Sequence, residues 1–223
     1  MDLLCSGLEA TYLIFTKDWQ NRHMLKHYSN IENKIESEIN QIRKTGNFKT
    51  PSQVLGVFKI PEIKLNRKEI ENSLSIVLDD VQDPGNLGTI IRIADWFGIK
   101  HIFCSPNSVD LYNPKVIQST MGAIARVKVI YVPLNQLLSD YQKSNFPFYG
   151  TFLKGESIYT SELSPKGFII MGNEGKGISD EIKEMVSHKL FIPNFPISRH
   201  TSESLNVSVA TAIICSEFRR VEF

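Results

Sequence analysis

From residue 74 onward, short apolar runs alternate with segments in which apolar residues recur every three or four positions. The apolar runs predict β-strands, and the longer spacing predicts helices. The predicted strands span 75–81, 101–104, 127–132, 146–153, 167–172 and 189–194, and the predicted helices span 86–97, 113–121, 133–143, 178–187 and 203–219. This alternation is typical of α/β proteins with a mainly parallel sheet flanked by helices. Ligands of such sheets bind at the carboxyl ends of the strands, so we expect the segments after the strands to carry the site.

The first 60 residues follow a different pattern. The runs TYLIF (11–15) and QVLGVFKI (53–60) predict two strands. We expect the polar stretch that follows the first strand to be helical, and the residues ahead of the second strand become basic. The opening residues are typical of the last turns of a helix closed by Gly7, so we expect this first domain to lack its beginning. The polar stretch PEIKLNRKEIEN predicts a linker. We therefore divide the chain into a small, incomplete α/β domain over 1–61, a linker over 62–73 and a larger domain over 74–223.

Composition, charge and cysteine usage exclude several classes of protein. The chain has 25 Lys and Arg residues against 24 Asp and Glu residues, a net charge of +1, so a nucleic-acid-binding surface must concentrate its basic residues locally. No apolar run approaches the ~20 residues that span a bilayer, and the N-terminus lacks the pattern of a signal peptide. Cys5, Cys104 and Cys215 are odd in number and far apart, which argues against a disulfide framework or a zinc site and favours reduced thiols in the cytoplasm.

The first segment with candidate chemistry is DDVQDPGNLGTIIRIADWFG (79–98), which follows the first predicted strand of the larger domain. We expect Asn86 to be the N-cap of the helix that starts here, and Gly98 to be the glycine that ends it. Arg92 lies off the apolar stripe of this helix. Taken alone, it would be a solvated charge that pairs with Asp95, three positions further on.

The second segment is FIIMGNEGKGIS (168–179), where a buried strand ends in three closely spaced glycines. Lys176 precedes the last glycine instead of following it, so the segment is not a Walker A phosphate-binding loop. It also lacks the G-x-G-x-x-G pattern of dinucleotide-binding proteins. Two interpretations stay open: a glycine-rich turn with Ser179 as the cap of the next helix, or a backbone that approaches a ligand closely.

The third segment is FIPNFPISRHTSESLNVSVATAIICSEFRR (191–220), which has apolar residues on nearly every side of the predicted helix. Its Val and Ile content would also suit a strand, but its length and its lack of turn residues favour a helix. A helix that is apolar all round is buried on more than one side. We therefore expect it to pack against both the sheet and a second subunit.

Taken together, these segments resemble the SpoU/TrmH family of RNA 2′-O-ribose methyltransferases. The stretches DPGNLGTIIRIADWFG, MGNEGKGIS and IPNFPISRHTSESLNVSVATA match the three motifs of the family in order, and STMGAIARV (119–127) matches a further feature. The resemblance covers residues 74–220. It implies a C-terminal trefoil knot, a homodimer, and methyl transfer from S-adenosylmethionine to a ribose hydroxyl of RNA. The region before residue 61 resembles the small substrate-binding domain of the family, and we expect ribosomal RNA more than transfer RNA as the substrate.

The resemblance also assigns roles to particular residues, and it implies no metal. Its functional positions fall on Asn86, Arg92, Glu174, Ser204 and Asn206, and its cofactor-binding positions fall on Met171, Gly172, Ile192 and Leu205. The mechanism proposed for the family makes the arginine a general base. Because a guanidinium is effectively always protonated, we favour a role in anchoring RNA phosphate and stabilising charge, with Asn86 and Glu174 holding Arg92 in place.

Two other functions are compatible with the same scaffold: a catalytically silent RNA-binding protein, and an enzyme that modifies a base instead of a ribose. The presence of Asn86, Arg92, Glu174 and Asn206 argues against the silent protein. The SLNVS stretch, together with the Asn–Arg pair, favours the ribose. We expect Trp96 to pack near the end of its helix without a special role.

Overall fold

The structure is a computed structural model, and it describes residues 2–23, 30–46, 52–142, 145–196 and 204–220. The chain divides into two compact units, Met1–Glu62 and Ile63–Phe223. Within the described residues, no helix is long and apolar enough to cross a membrane.

The first unit contains a three-stranded sheet made of β1 (Ala10–Phe15), β2 (Asn33–Glu36) and β3 (Val54–Phe58) in the order β2-β1-β3. Strand β2 is parallel to β1, and β3 is antiparallel to it. The helices of this unit are α1 (Asp2–Cys5), α2 (Lys17–Arg22) and α3 (Ile39–Lys44). Gly7 follows α1 with a φ of 82°, as its predicted role at a helix end requires. The sequence pattern predicts neither β2 nor α3, because every residue of β2 is exposed and α3 buries Ile42 alone.

The second unit is built on a six-stranded sheet whose neighbouring strands are all parallel. Its strands are β4 (Leu74–Leu78), β5 (His101–Cys104), β6 (Lys128–Tyr131), β7 (Phe148–Ser157), β8 (Gly167–Met171) and β9 (His188–Phe191), in the order β6-β5-β4-β8-β7-β9. Its helices are α4 (Arg67–Glu71), α5 (Pro84–Trp96), α6 (Pro114–Thr120), α7 (Leu134–Gln142), α8 (Asp180–Met185) and α9 (Val207–Arg220). The predicted α/β class, with a mainly parallel sheet flanked by helices, is confirmed.

Two apolar clusters cover the two faces of this sheet. One contains buried residues of α5, α6 and α9, and the other contains buried residues of α4, α7 and α8. The central strands β4 and β8 are buried along their whole length, which explains why they form continuous apolar runs in the sequence. The helices cover the faces of the sheet, so the loops that form a site lie at the carboxyl ends of the strands.

Helix α5 starts two residues before its predicted start, and this corrects the role of Asn86. The N-cap is Asp83, whose side chain accepts a hydrogen bond from the backbone N–H of Asn86 at 2.8 Å. Pro84 occupies the first helical position, where its fixed φ suits the helix and its missing N–H costs nothing. The prediction for the other end is confirmed, because Gly98 follows the helix with a φ of 65°.

Three further expectations are wrong. Residues 67–71, which we assigned to the linker, form α4, and its Ile70 is 1% exposed in the core of the second unit. Helix α9 begins at Val207, so 204–206 lie outside it, and 201–203 lie outside the described residues. Trp96 does not pack at the end of its helix, because it is 84% exposed.

Cys104 and Cys215 are buried in the core, where burial raises the pKa of each thiol to about 12. These thiols therefore stay protonated at neutral pH, and both are packing residues.

His101 is a buried titratable residue at the amino-terminal end of β5. It is 0% exposed, and neither ring nitrogen has a hydrogen-bond partner among the described residues. Burial lowers the pKa of His101, against the opposing effect of Glu69, whose carboxylate lies 3.9 Å from Nε2. Lys100 and Lys128 also lie near this carboxylate and lower the pKa of His101 further. The folded protein therefore holds a neutral imidazole in its core.

We expect this imidazole to make the stability of the fold depend on pH. The unfolded chain binds a proton at His101 near pH 6.5, whereas the folded protein does so only at lower pH, so stability should fall as the pH drops through that region. Melting temperatures measured between about pH 8 and about pH 5 should fall less steeply for His101→Leu than for the wild type. His188→Leu, which removes an exposed imidazole, is the control for the loss of a histidine outside the core. Equal slopes for the wild type and His101→Leu would contradict this prediction.

Candidate functional site

Three segments of the second unit converge at the carboxyl ends of the neighbouring strands β4 and β8. They are the loop after β4 with the first turn of α5, the loop after β8, and the residues that precede α9. These segments are far apart in sequence, but the pairing of β4 with β8 brings the first two together. This edge is where ligands bind in parallel α/β sheets.

The carboxylate of Glu174 joins the loop after β8 to the start of α5. Oε1 accepts hydrogen bonds from the side-chain amide of Asn86 at 3.0 Å and from the backbone N–H of Asp83 at 3.1 Å. Oε2 accepts from the backbone N–H of Gln82 at 3.3 Å. A carboxylate that accepts from several N–H groups forms charge-assisted hydrogen bonds, which are stronger than those between neutral groups.

Asn206 extends this network to the third segment. Its side-chain amide donates to Oδ1 of Asn86 at 2.9 Å, and its own Oδ1 accepts from the backbone N–H of Ser208 at 3.0 Å and from that of Val209 at 3.3 Å. Asn206 therefore acts as the N-cap of α9 and also bonds to α5. The structure thus brings together three predicted site residues, Glu174, Asn86 and Asn206, in one continuous chain of hydrogen bonds.

Glu174 is ionised at neutral pH. Burial of the carboxylate acts to raise the pKa of Glu174, but the hydrogen bonds from Asn86 and from the backbone amides, including those of Asp83 and Gln82, outweigh it and hold the pKa below its ordinary value. A carboxylate held in this way is a poor proton acceptor near pH 7. Its role in this arrangement is to hold the loops in position.

Two residues that the sequence interpretation missed join the same loops. Oδ2 of Asp79 accepts a hydrogen bond from the backbone N–H of Ser179 at 2.7 Å, and the side-chain amide of Asn173 donates to the carbonyl of Asp80 at 2.7 Å. The only sequence signal was their position within two residues of the end of a buried strand, and polar residues there are also ordinary in turns. Ser179 occupies the expected N-cap position of α8, but its side chain makes no capping hydrogen bond there.

The glycines of the loop after β8 serve different purposes. A Cβ at Gly172 would lie 2.2 Å from the backbone of Gly177 and Ile178, so Gly172 is required for the chain to close on itself here. A Cβ at Gly175 would meet nothing closer than 3.7 Å, and one at Gly177 would meet nothing within 4 Å. The close approach at Gly172 is therefore internal to the loop, whereas the backbone at the other two glycines is accessible to a ligand.

The four predicted cofactor-binding residues occupy different environments. Met171 is buried at the end of β8, and its carbonyl accepts a hydrogen bond from the N–H of Asp79 at 2.9 Å. Ile192 follows β9 and is partly buried against the core, whereas Leu205 is 48% exposed just ahead of α9. The assignment of Met171, Gly172, Ile192 and Leu205 to a cofactor stays a prediction.

Arg92 and Ser204 do not join the hydrogen-bond chain within the part of the molecule that the structure describes. Arg92 is exposed on α5, and no contact with Asn86 or Glu174 holds it there, contrary to expectation. Its expected partner Asp95 instead makes a bidentate ion pair with Arg126, at 2.8 Å between Nη2 and Oδ2 and 3.0 Å from Nε to each oxygen. Arg92 is therefore available for a partner other than Asp95.

The described residues include no cluster of three or more His, Cys, Asp or Glu side chains suited to a metal ion. The site consists of amides, the carboxyl groups of Glu174, Asp79 and Asp83, and exposed glycines, and α5 also carries the exposed guanidinium of Arg92. Such groups can orient a substrate and bind an anion.

Comparison with known proteins assigns these segments to a family. The model of the SpoU rRNA Methylase family matches residues 73–216. The chain is 32% identical over 172 residues to the 23S rRNA (guanosine(2553)-2′-O)-methyltransferase RlmP of Bacillus subtilis, which covers 76% of the chain and 66% of that relative. It spans between 54% and 66% of the length of this and two further curated relatives.

Solved structures share the whole fold. A structure from Porphyromonas gingivalis assigned to the TrmH family is 33% identical, with a TM-score of 0.81 over 99% of this chain and 86% of that one. An AdoMet-bound rRNA methyltransferase from Sinorhizobium meliloti is 24% identical, with a TM-score of 0.85 over 100% of this chain and 84% of that one. The second likeness concerns the fold alone.

The contact between Asn86 and Glu174 can be tested by replacing the amide with a carboxylate. Asn86→Asp keeps an acceptor for Asn206 but places a second carboxylate against that of Glu174. We expect the free energy of unfolding to fall by about 1–3 kcal/mol at neutral pH. Because like charges raise the pKa of one carboxyl group of the pair, the deficit relative to the wild type should shrink as the pH is lowered through that raised pKa.

Urea unfolding at about pH 7 and about pH 5 measures this difference. Asn86→Ala is the control, since it removes the hydrogen bond without adding a charge, and its deficit should not shrink at the lower pH in this way. If Asn86→Asp and Asn86→Ala behave alike at both pH values, the two side chains are not in direct contact.

Proposed function

Because the chain belongs to the SpoU rRNA Methylase family, we propose that it transfers a methyl group from S-adenosylmethionine to a ribose 2′-hydroxyl of RNA, with release of S-adenosylhomocysteine and of the hydroxyl proton. The observation that carries this proposal is the chain of hydrogen bonds from Glu174 through Asn86 to Asn206. It lies within the part of the sequence that matches the family, at the edge of the sheet where a ligand is expected.

The residues at this edge fit S-adenosylmethionine, which supplies a methyl group on a sulfonium. Gly175 and Gly177 carry no side chain, so a ligand can lie close to the loop after β8, which hydrogen bonds to Asn173 hold in shape. Ile192 and Leu205 offer apolar surface to an adenine. The donor carries no phosphate, which suits a loop that lacks the Walker A arrangement. We assign Met171, Gly172, Ile192 and Leu205 to this cofactor site.

The finer features of the fold belong to the same proposal. The family resemblance implies that the segment after β9 passes through a loop of the chain to form a trefoil knot. The topology supports it: β9 is an edge strand beside β7, yet α9 packs back on α5, which follows the central strand β4. For the first unit we propose the role of a small RNA substrate-binding domain over 1–61, joined to a catalytic domain that begins with α4 and includes 74–223.

Arg92 is the residue to which we assign the acceptor RNA. It is exposed on α5, one turn beyond Gly88, and its planar guanidinium can bind a phosphate through two parallel hydrogen bonds. A protonated guanidinium also stabilises negative charge that develops on the ribose oxygen during transfer. Proton abstraction by Arg92 itself is disfavoured, because arginine has no accessible neutral form.

Glu174, Asn86 and Asn206 act by holding the loops of the site in position. Glu174 is ionised and accepts three hydrogen bonds from the start of α5, so its lone pairs are already engaged. Through the hydrogen bond between Asn86 and Asn206, Glu174 also fixes the position of the start of α9. Ser204 is exposed two residues before Asn206, and we assign it to contacts with substrate or with nearby backbone. No metal takes part in this proposal.

We further propose that the protein works in the cytoplasm as a homodimer on ribosomal RNA. The buried face of α9 includes Thr211, Ile214 and Phe218, but Val209 on the same helix is 49% exposed. Trp96 is also exposed, at 84%, at the end of α5, the helix on which α9 packs. Exposed apolar side chains on this pair of helices support a subunit interface.

Transfer of isotope-labelled methyl groups to ribosomal RNA tests the proposed function. The purified protein should methylate RNA from cells that lack it, and the modified nucleotide should resist alkaline cleavage because its 2′-hydroxyl is blocked. Binding of S-adenosylmethionine without transfer to any RNA would favour the silent RNA-binding alternative. A chelator should leave the rate unchanged once RNA folding is controlled; loss of activity restored by a divalent ion would overturn the metal-free part.

Variants of Arg92 test its role. Arg92→Ala should lower methyl transfer by at least ~100-fold while cofactor affinity, measured by calorimetry, stays close to that of the wild type. If Arg92 binds phosphate through both of its donor nitrogens, Arg92→Lys should be almost as poor, since lysine lacks the planar fork. Lys166→Ala removes an exposed positive charge before β8 and should keep full activity. Wild-type turnover of Arg92→Ala on its true RNA would remove Arg92 from the site.

The dimer has its own test. Val209→Asp should convert the protein to a monomer in sedimentation at micromolar concentration, because it places a charge in the proposed apolar interface. Since Val209 is half-exposed within its own chain, the secondary structure should persist. Tyr159→Asp, at a residue with the same 49% exposure elsewhere, should leave the oligomeric state unchanged. A wild-type protein that is monomeric and fully active would exclude the dimer.

A further inference from the structure

The loop after β4 contains a residue in an unusual backbone conformation. Asp80 has a φ of 62°, in the left-handed region that residues with a Cβ rarely occupy. It lies between β4 and the backbone amides of Gln82 and Asp83, which bind Glu174. The conformation at Asp80 therefore sets the direction in which the chain leaves the sheet toward Asn86.

Asn173, in the loop after β8, holds Asp80 in this conformation. Its Nδ2 donates to the carbonyl of Asp80 at 2.7 Å and lies 3.5 Å from Oδ2 of the same residue. Its Oδ1 accepts from the backbone N–H groups of Gly175 and Lys176 at 2.9 and 3.0 Å. One end of the side-chain amide thus shapes the loop that carries Glu174, and the other end binds the strained residue of the neighbouring loop.

A second contact holds Asp80 from the opposite side. The N–H of Asp80 donates to Oγ of Ser105 at 2.9 Å, in the loop after β5, and this hydroxyl lies 3.0 Å from that of Ser108. Both serines are buried. Since β5, β4 and β8 are neighbours in the sheet, Asp80 is held between the loops that follow the two flanking strands. Contacts from both sides therefore hold Asp80 in its strained conformation, as is expected of backbone strain at a functional site.

We propose that Asn173 is a positioning residue for methyl transfer, which holds the Asp80 turn so that the start of α5 meets Glu174. This inference rests on the proposed function, and it assigns to Asn173 a role that is exerted through Asp80. Without the Nδ2 contact, Asp80 would relax toward negative φ, and the amides of Gln82 and Asp83 would turn away from the carboxylate. Small displacements of groups that orient a reaction cost large factors in rate.

The alternative role for Asn173 is purely local, through the contacts of Oδ1 with Gly175 and Lys176. Asn173→Asp separates the two roles, because it keeps that oxygen and replaces Nδ2 with a second oxygen facing the Asp80 carbonyl. If the proposal holds, turnover should fall about tenfold or more, with little change in KM for S-adenosylmethionine. A local role predicts turnover close to that of the wild type.

Asp80→Gly should restore the turnover that is lost in Asn173→Asp. Glycine adopts positive φ without strain, so a chain with glycine at this position no longer needs to be held. In the double variant Asn173→Asp with Asp80→Gly, turnover should recover to within about threefold of Asp80→Gly alone, as a double-mutant cycle of coupled residues requires. A loss that Asp80→Gly does not rescue would overturn the proposal, since Asn173 would then act through something other than Asp80.

Asn72→Asp is the matched control. Asn72 also donates from Nδ2 to a backbone carbonyl, that of Lys68, at 2.8 Å, but it lies at the end of α4, before β4 begins. It should leave turnover unchanged. Should Asn72→Asp lower turnover as much as Asn173→Asp at an equal change in melting temperature, the effect would be one of general stability and the proposal would fall.

Amide hydrogen exchange makes the inference testable apart from catalysis. In Asn173→Asp, the amides of Gln82 and Asp83 should exchange faster than in the wild type, and Asp80→Gly should restore their protection. Unaltered exchange of these amides would overturn the role of Asn173, whether or not the wild-type protein methylates the RNA offered. Failure of the wild type to transfer methyl groups, with the exchange pattern as expected, would instead count against the proposed function.

Discussion

The site of this protein depends on a single carboxylate that accepts hydrogen bonds from another loop. Glu174 lies more than 85 residues from the start of α5 in sequence, yet its two oxygens bind two backbone amides and the side chain of Asn86. The pairing of β4 with β8 makes this possible, because it places the carboxyl ends of both strands side by side. An ionised carboxylate forms these contacts more strongly than a neutral group would. The positions of Asn86 and, through it, Asn206 follow from this one interaction.

The start of α5 is organised so that its side chains can serve the site. Asp83 caps the helix and Pro84 begins it, so the amide of Asn86 is not needed for capping and points toward Glu174. The loop ahead of it carries the left-handed Asp80, held by Asn173 and Ser105 from the loops on either side. A helix start that is capped by one residue and steered by a strained turn gives the neighbouring side chains defined positions.

Arg92 is not part of the hydrogen-bond chain that joins Glu174, Asn86 and Asn206. It is exposed on α5, and Asp95, the carboxylate nearest to it along the helix, is engaged by Arg126. The amides and the carboxylate of that chain form hydrogen bonds with one another. A guanidinium at the surface, by contrast, can bind a phosphate of the substrate. The hydrogen-bond chain is suited to fixing the loops, and Arg92 is suited to binding an anion.

The sequence by itself determined the elements whose signal is local. The apolar runs of β4 and β8 mark buried parallel strands, Gly98 marks the end of α5, and the three motifs, read in order, indicate the family. Only the tertiary structure decided which polar residues meet. Asn86 looked like a cap because it stands at a helix start, but its partner is 88 residues away. Ile70 is buried in a segment that is otherwise polar, and Trp96 is exposed although it is aromatic. These outcomes depend on strand order and on packing between distant segments, which the pattern of neighbouring residues does not contain.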